Sequence, residues 1–146
     1  MAEKTIRIAG ASGFWGDAAR ATPQLLKDGN VDFIAYDYLA EITMSIMARA
    51  RAKNPDYGYA LDFVTVAMKP NLKEIARQGV KIVSNAGGVN PQACGNALRA
   101  VIAEMGLELT VACVLGDDMI DHRDDLAEQG YTEMFTGAAF PAVNKI

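Results

Sequence analysis

Apolar positions along this chain follow two patterns in alternation. Short, nearly continuous apolar runs occupy Thr5–Ala9, Val31–Asp37, Val80–Ser84 and Leu109–Leu115, and each predicts a buried strand. Other stretches carry helical spacing. Cys94, Ala97, Leu98, Val101, Ile102 and Met105 recur along one helical face, with Asn90 as cap, Pro91 at the first position and Gly106 at the end. An earlier helix places Leu39, Ile42, Ile46 and Ala50 on one side. Glu41 in its first turn and Arg49, Arg51 and Lys53 near its end complement the helix dipole, and Asn54-Pro55-Asp56 breaks the chain. Tyr59–Gln78 reads as helical, kinked or split at Pro70 and ended by Gly79. Thr22-Pro23 reads as the cap and first turn of a further helix.

Strands separated by helices predict an α/β fold with an open, mostly parallel sheet and helices on both faces, a Rossmann-like three-layer arrangement. The chain has no repeat, low-complexity tract or linker, so residues 1–146 are expected to form a single α/β domain. The stretch after Tyr131 has no clear period, and four strands make a thin sheet. The domain is therefore expected to be incomplete, continuing in a longer chain.

Composition narrows the classes. A hydrophobic fraction of 51% and a charged fraction of 22% are ordinary for a soluble globular protein. The net charge of −4 and the lack of a basic stripe argue against nucleic acid as a partner. No apolar run is long enough for a bilayer, and Met1-Ala2-Glu3-Lys4 does not begin a leader, so a cytoplasmic protein is expected. Cys94 and Cys113 lie far apart and read as reduced thiols, the first on the apolar helical stripe and the second inside a strand. Met44 and Met47 read as fillers of core gaps.

Ligands of open parallel sheets bind beyond the carboxyl ends of the strands. The segments there are Gly10-Ala11-Ser12-Gly13-Phe14-Trp15-Gly16-Asp17, then Asp37-Tyr38, then Asn85-Ala86-Gly87-Gly88-Val89-Asn90-Pro91, then Gly116-Asp117-Asp118. They are expected to converge on one crest. Gly10, Ser12, Gly13, Trp15, Gly16, Tyr38, Gly87, Gly88, Asn90 and Asp118 are the binding candidates, with backbone N–H groups of the glycine loops as donors to phosphate or carboxylate. Asp37 and Asp117 are the acid–base candidates and Asn85 an orienting donor. Trp15, an indole in a glycine-rich loop, suits a lid or a stacking surface.

Gly10, Gly13 and Gly16 also have the GxxGxxG spacing of NAD(P)-dependent short-chain dehydrogenases, with Asp37 where a ribose-binding acid stands. Three features oppose that reading: Pro23 would interrupt the dinucleotide helix, Asp17 places a carboxylate where phosphate charge belongs, and there is no Tyr-x-x-x-Lys pair. No cofactor is indicated. Asp117, Asp118, Asp121, Asp124 and Asp125 around His122 match no calcium loop and read better as a capped helix start than as a metal site.

Gly10–Asp17, Tyr36-Asp37-Tyr38-Leu39-Ala40-Glu41, Asp62-Phe63-Val64, Ser84–Pro91 and Gly116-Asp117-Asp118 together resemble the acyclic terpene utilisation (AtuA) family, in order over nearly the whole chain. The resemblance implies a part in the breakdown of acyclic terpenes such as citronellol and geraniol, through pathways that work on acyl-CoA thioesters. It implies an enzyme or enzyme part acting on a branched acyl-CoA or related carboxylate, with a non-catalytic binding subunit as the alternative. Family members are longer, so this chain resembles their N-terminal part and is expected to form a homo-oligomer or to pair with a C-terminal part.

Overall fold

The computed structural model describes residues 5–142. They gather into two compact units, Met1–Val114 and Leu115–Ile146. In the first, β1 (Ile8–Ser12), α1 (Ala18–Asp28), β2 (Phe33–Tyr36), α2 (Glu41–Lys53), a π-helical turn (Phe63–Met68), α3 (Leu72–Gln78), β3 (Lys81–Ser84) and α4 (Pro91–Glu104) follow one another. The three strands form one parallel sheet in the order β1-β2-β3. This is the α/β class read from the sequence, with an open and unfinished parallel sheet.

The sheet buries one face. Ala9, Ile34 and Ile82 stand in register across the three strands, and Ala11, Ile34 and Tyr36 join the core with Ala18 and Leu26 of α1, Leu72 and Ile75 of α3, and Cys94 and Ile102 of α4. A strand order that advances in one direction, joined by right-handed crossovers, places successive connections on the same side of the sheet. The opposite side accordingly keeps Ile8 at 70% and Val83 at 59% exposure, with only Lys81 lying over the Phe33 ring. The expected second covering layer is not supplied by the described residues.

Several boundaries differ from the sequence reading. β1 begins three residues later than expected, so Gly10 and Ser12 lie within the strand, where a register irregularity falls between them. α1 starts at Ala18 and runs through Pro23, whereas a cap at Thr22 was expected. The missing Pro23 N–H leaves the Ala19 carbonyl without its helical partner, but Ala19 is exposed to water. Thr22, fully buried, donates its hydroxyl to Ala18 O at 3.1 Å and lies 2.9 Å from the Tyr36 hydroxyl. In α2 the buried residue is Met47, at 1% exposure, while Ile42 and Ile46 are exposed. Met44 also stays largely outside the core. Thr43 fixes the start of α2 by accepting from Ala40 N–H at 2.7 Å.

The segment expected as a fourth strand, Leu109–Leu115, has no ladder partner among the described residues. It keeps the two-residue alternation, since Leu107, Leu109, Val111 and Cys113 are half-buried and the residues between them exposed. Its polar contacts go to α4: Arg99 donates to Val111 O at 2.8 Å and the Cys113 thiol to Pro91 O at 3.4 Å. Elsewhere the sequence reading and the structure agree. Asn90 caps α4 by accepting from Ala93 N–H at 3.3 Å, the Cys94–Met105 stripe packs on the core, the helical run breaks at Pro70, and Gly79 closes α3 in the left-handed region at φ +70°.

The second unit is described by itself. It contains a 3-10 turn (Ile120–His122) leading into α5 (Arg123–Glu128), and an isolated bridge between Thr132 and Ala139. Among the described residues, no helix is long and apolar enough to cross a membrane.

Two predictions follow from the packing. A Cβ at Gly88, whose φ is +53°, collides with the Met47 sulfur and meets Gly58 O at 2.8 Å. Gly88→Ala is therefore expected to cost about 2–4 kcal/mol, from overpacking and a strained φ together, read as a lower urea midpoint at unchanged slope. The thiols should also separate chemically. Burial, with Cys113 adding to it, pushes the Cys94 thiol up to about 12, so a thiol reagent should modify half-buried Cys113 in the folded protein and Cys94 only on unfolding. Because the folded value lies above the ordinary 9.0, this contribution to stability is present below pH 9.0 and lost as pH rises toward 12. Cys94→Ala should remove the part of the alkaline destabilisation that sets in below the ordinary tyrosine value of 10.0, above which Tyr36, Tyr38 and Tyr59, all raised by burial, act in the same sense.

Candidate functional site

The alternation of β2 builds the site. Tyr36 and Tyr38, two residues apart, both turn inward, and Asp37 between them turns out to the crest. The two tyrosine rings stack at 6.4 Å, and Phe63 meets each edge-on at 5.4 and 5.7 Å.

At the crest, the ends of the three strands are tied together. Ser12 donates its hydroxyl to Asp37 O at 3.1 Å. Asn85 donates its amide to Asp37 Oδ1 at 2.7 Å and accepts from Tyr38 N–H at 2.8 Å. Asp37 and Asn85 are both exposed. An oriented carboxylate in this position can accept a proton from a ligand, with the Asn85 amide holding its direction.

Beside the crest is an open cavity of about 450 Å³, a size suited to a small molecule. It is lined by Trp15, Tyr38, Leu61, Asp62, Val66 and Ala67, together with Gly16, Ala18 and Ala19. The Trp15 indole donates to Asp62 Oδ1 at 2.5 Å, which holds the ring over the cavity instead of leaving it as a free lid. Tyr38 is completely buried, yet its hydroxyl has no hydrogen-bond partner among the described residues. Oδ1 of Asp17 is also buried without a partner, while its Oδ2 accepts from Gly13 N–H at 2.9 Å. Burial raises the Tyr38 phenol, and the nearby Asp62, Tyr36 and Asp17 raise it further, so it stays protonated as a donor.

The π-helical turn shapes this wall. Lys69 N–H reaches back to Val64 O at 2.9 Å, and the wider turn buries Phe63, Val64, Ala67 and Met68 while leaving Val66 at the cavity. Such insertions concentrate at functional sites.

The remaining expected site residues lie on the loop after β3, in β1, at the cavity-lining turn into α1, and in the second unit. The glycine loop after β3 is not an open nest. Gly88 N–H donates to Asn85 O, Val89 N–H to Gly58 O, Asn90 N–H to Gly87 O and Ala86 N–H to the Ser84 hydroxyl. A Cβ at Gly87 would meet Pro91 at 2.8 Å, so Gly87 and Gly88 serve close packing. Asn90 is fully engaged, accepting from Ala93 N–H and donating to Pro55 O and Tyr57 O at 2.7 and 2.8 Å. Gly10 lies within β1, and Gly16 turns the loop into α1 at φ +106°. Asp117 and Asp118 belong to the second unit, where Asp118 Oδ1 accepts from Ile120 N–H at 3.1 Å at the start of the 3-10 turn. Among the described residues, no group of three or more His, Cys, Asp or Glu is placed to hold a metal.

Asp62 is the residue that sequence reasoning passed over. Its signal was present, since Asp62-Phe63-Val64 is one of the segments shared with the family, but no periodicity announces a π-helical turn or a bond to an indole 47 residues away. Asp17 was read as an obstacle to phosphate. At the first turn of α1 it does place a carboxylate where a dinucleotide's pyrophosphate would lie.

Comparison with known proteins gives one match. The family model described as Acyclic terpene utilisation family protein AtuA matches residues 6–145. No curated protein and no solved structure matches the sequence.

The orphaned Tyr38 hydroxyl yields a prediction. Removing a buried, unpaired polar group relieves its desolvation cost, so Tyr38→Phe should leave the protein as stable or make it up to about 1–3 kcal/mol more stable. Chemical denaturation measures this, and a marked loss of stability would mean that the hydroxyl has a structural partner.

Proposed function

Because this chain belongs to the acyclic terpene utilisation family, we propose that it works in that process as an enzyme, or part of one, that takes the branched chain of its substrate into the Trp15–Tyr38–Val66 cavity. The substrate is a branched acyl-CoA thioester or a closely related derivative, with its reacting end at the Asp37–Asn85 crest. The carrying observation is the apolar, aromatic wall that Trp15, Tyr38, Leu61, Val66 and Ala67 give a cavity of small-molecule size beside the Asp37–Asn85 crest.

Tyr38 joins the two halves of the site. Its ring lines the cavity, and its backbone N–H is held by Asn85, which in turn orients Asp37. A chain seated against the ring would bring its polar end toward these side chains. Asp37 is the acid–base candidate and Asn85 the orienting donor. A free carboxylate fits less well than a thioester, because the Asp62 carboxylate lines the same cavity.

Calorimetry with citronellyl-CoA and with free CoA tests this reading on the full chain. Citronellyl-CoA should bind at least about tenfold more tightly than CoA, the difference being apolar burial of the chain at roughly 25 cal/mol per Å². Leu61→Asp or Val66→Asp should abolish the difference. Equal binding of the two ligands, or none at millimolar concentration, would refute the proposal.

A further inference from the structure

The second unit presents an apolar tip on a turn that its own hydrogen bonds hold in shape. Thr132 and Ala139 pair as an antiparallel bridge, and the segment between them turns tightly. Glu133 N–H donates to Ala138 O at 2.8 Å. Gly137 N–H, in the left-handed region at φ +68°, donates to Glu133 O at 2.9 Å. The Glu133 carboxylate accepts from the Thr136 hydroxyl and from the N–H groups of Phe135 and Thr136, while Ala138 N–H donates to the Thr136 oxygen at 3.2 Å. At the tip, Met134 and Phe135 stand 84% and 86% exposed. Two large apolar side chains fixed in water on a preordered turn form the kind of anchor that protein interfaces bury.

The same unit also holds a hollow of about 650 Å³, lined by Leu126, Tyr131, Phe140 and Pro141 and by Glu133 and Ala138, which flank the turn. That volume is in the range that takes a drug-sized ligand, so it has room for a pair of side chains. We infer that this unit is a self-association surface: Met134 and Phe135 of one copy enter the hollow of a second copy, which returns the same contact across a two-fold axis. The inference concerns the second unit alone and is independent of the proposed function.

Area and connectivity select a reciprocal pair of copies. Met134 and Phe135 together offer roughly 300 Å² of exposed surface, and seating them removes a similar area from the hollow. One such contact therefore buries roughly 600 Å², in the range of incidental contacts, whereas two reach roughly 1,200 Å², the lower end of specific interfaces. Closure follows from the sequence. Glu133 lines the hollow and Met134 is the next residue, so a partner's tip seated in the hollow lies beside the tip of the receiving copy. Each insertion brings the other within reach, which closes a two-fold dimer instead of growing a chain of copies. Charge works the other way. From Leu115 onward Asp and Glu outnumber Lys and Arg, so two copies repel weakly and apolar burial drives the association. Salt should accordingly strengthen it.

Sedimentation equilibrium of the full chain tests this, over a concentration range up to roughly 100 μM. Wild type should follow a monomer–dimer equilibrium that stops at the dimer and tightens between low and high salt. Phe135→Asp removes the tip, and Tyr131→Asp puts a charge in the hollow. Each alone should weaken dimerisation at least about tenfold. Both positions are exposed, so circular dichroism should match wild type. Mixing the two variants restores one intact contact, the tip of the Tyr131→Asp copy in the hollow of the Phe135→Asp copy. The mixture should therefore associate more tightly than either variant alone and less tightly than wild type, which simple damage to the fold would not produce. A wild type that stays monomeric overturns the inference, as does growth beyond the dimer. So does a dimer that salt dissociates, that Phe135→Asp leaves intact, or that the mixture of variants fails to restore.

Discussion

The end of β2 is the point on which the rest of the site depends. A strand sends alternate side chains to opposite faces, and here that rule separates a buried tyrosine pair from an exposed carboxylate within three residues. Tyr36 is held by Thr22 of α1, Tyr38 by its backbone bond to Asn85 after β3, and both rings by Phe63 from the π-helical turn. Three elements are thereby fixed to one short stretch of backbone. A slip of one residue would turn both tyrosines out and drive Asp37 inward, at the cost of burying a charge without a partner. The crest and the cavity are two outcomes of one register.

The sheet's handedness explains both its solidity and its incompleteness. With the order β1-β2-β3, the right-handed crossovers general to parallel strands put α1 and the α2–α3 connection on one face, and α1 and α3 do share one core there. Ile34, at 0% exposure, marks its centre. The same rule leaves Ile8 and Val83 open on the other face. In doubly wound sheets that face is covered only once the strand order reverses, and no reversal occurs among the described residues. The apolar character of the uncovered strands, read in the sequence as a sign of burial on both faces, is a property these three strands do not themselves satisfy.

How much of this was legible in the sequence can be argued residue by residue. The α4 stripe, its Asn90 cap and the break at Pro70 were readable because each depends on local chemistry: helical spacing, a side-chain acceptor for a free N–H, a missing donor. The Ser12–Asp37–Asn85 grouping was readable because parallel strands bring their carboxyl ends to one edge. The errors came from tertiary contacts that override local rules. Pro23 sits inside α1 because Thr22 is anchored in the core by Tyr36 and because the Ala19 carbonyl can turn to water. Ile42 and Ile46 looked like the buried side of α2, yet it is Met47 that reaches the core, close against Gly88. Gly87 and Gly88 looked like a nest for an anion, but a glycine required for close approach of two backbones has the same letter as one that opens toward a ligand. Leu109–Leu115 has the alternation of a strand and finds no strand to pair with.

The electrostatic layout also bears on which ligands a parallel α/β sheet can receive. In dinucleotide-binding sheets the first helix points a free N-terminus at a phosphate, and the glycine loop supplies further N–H groups. Here a protein carboxylate has taken that place. Asp17 stands at the start of α1 and accepts the Gly13 N–H, so the positive end of the helix dipole and the loop donor are already matched by an internal negative charge. The glycine spacing that resembles a nucleotide fingerprint therefore has another physical use, since it lets the loop close tightly enough for Gly13 to meet Asp17 and for Trp15 to reach Asp62. With that end of the sheet neutralised from within, recognition passes from the backbone to side chains: an indole and a phenol for the apolar surface, and carboxylate oxygens for hydrogen bonding. A site built this way gains little from binding an anion and much from excluding water from an apolar chain, which is the chemistry that branched hydrocarbon substrates present.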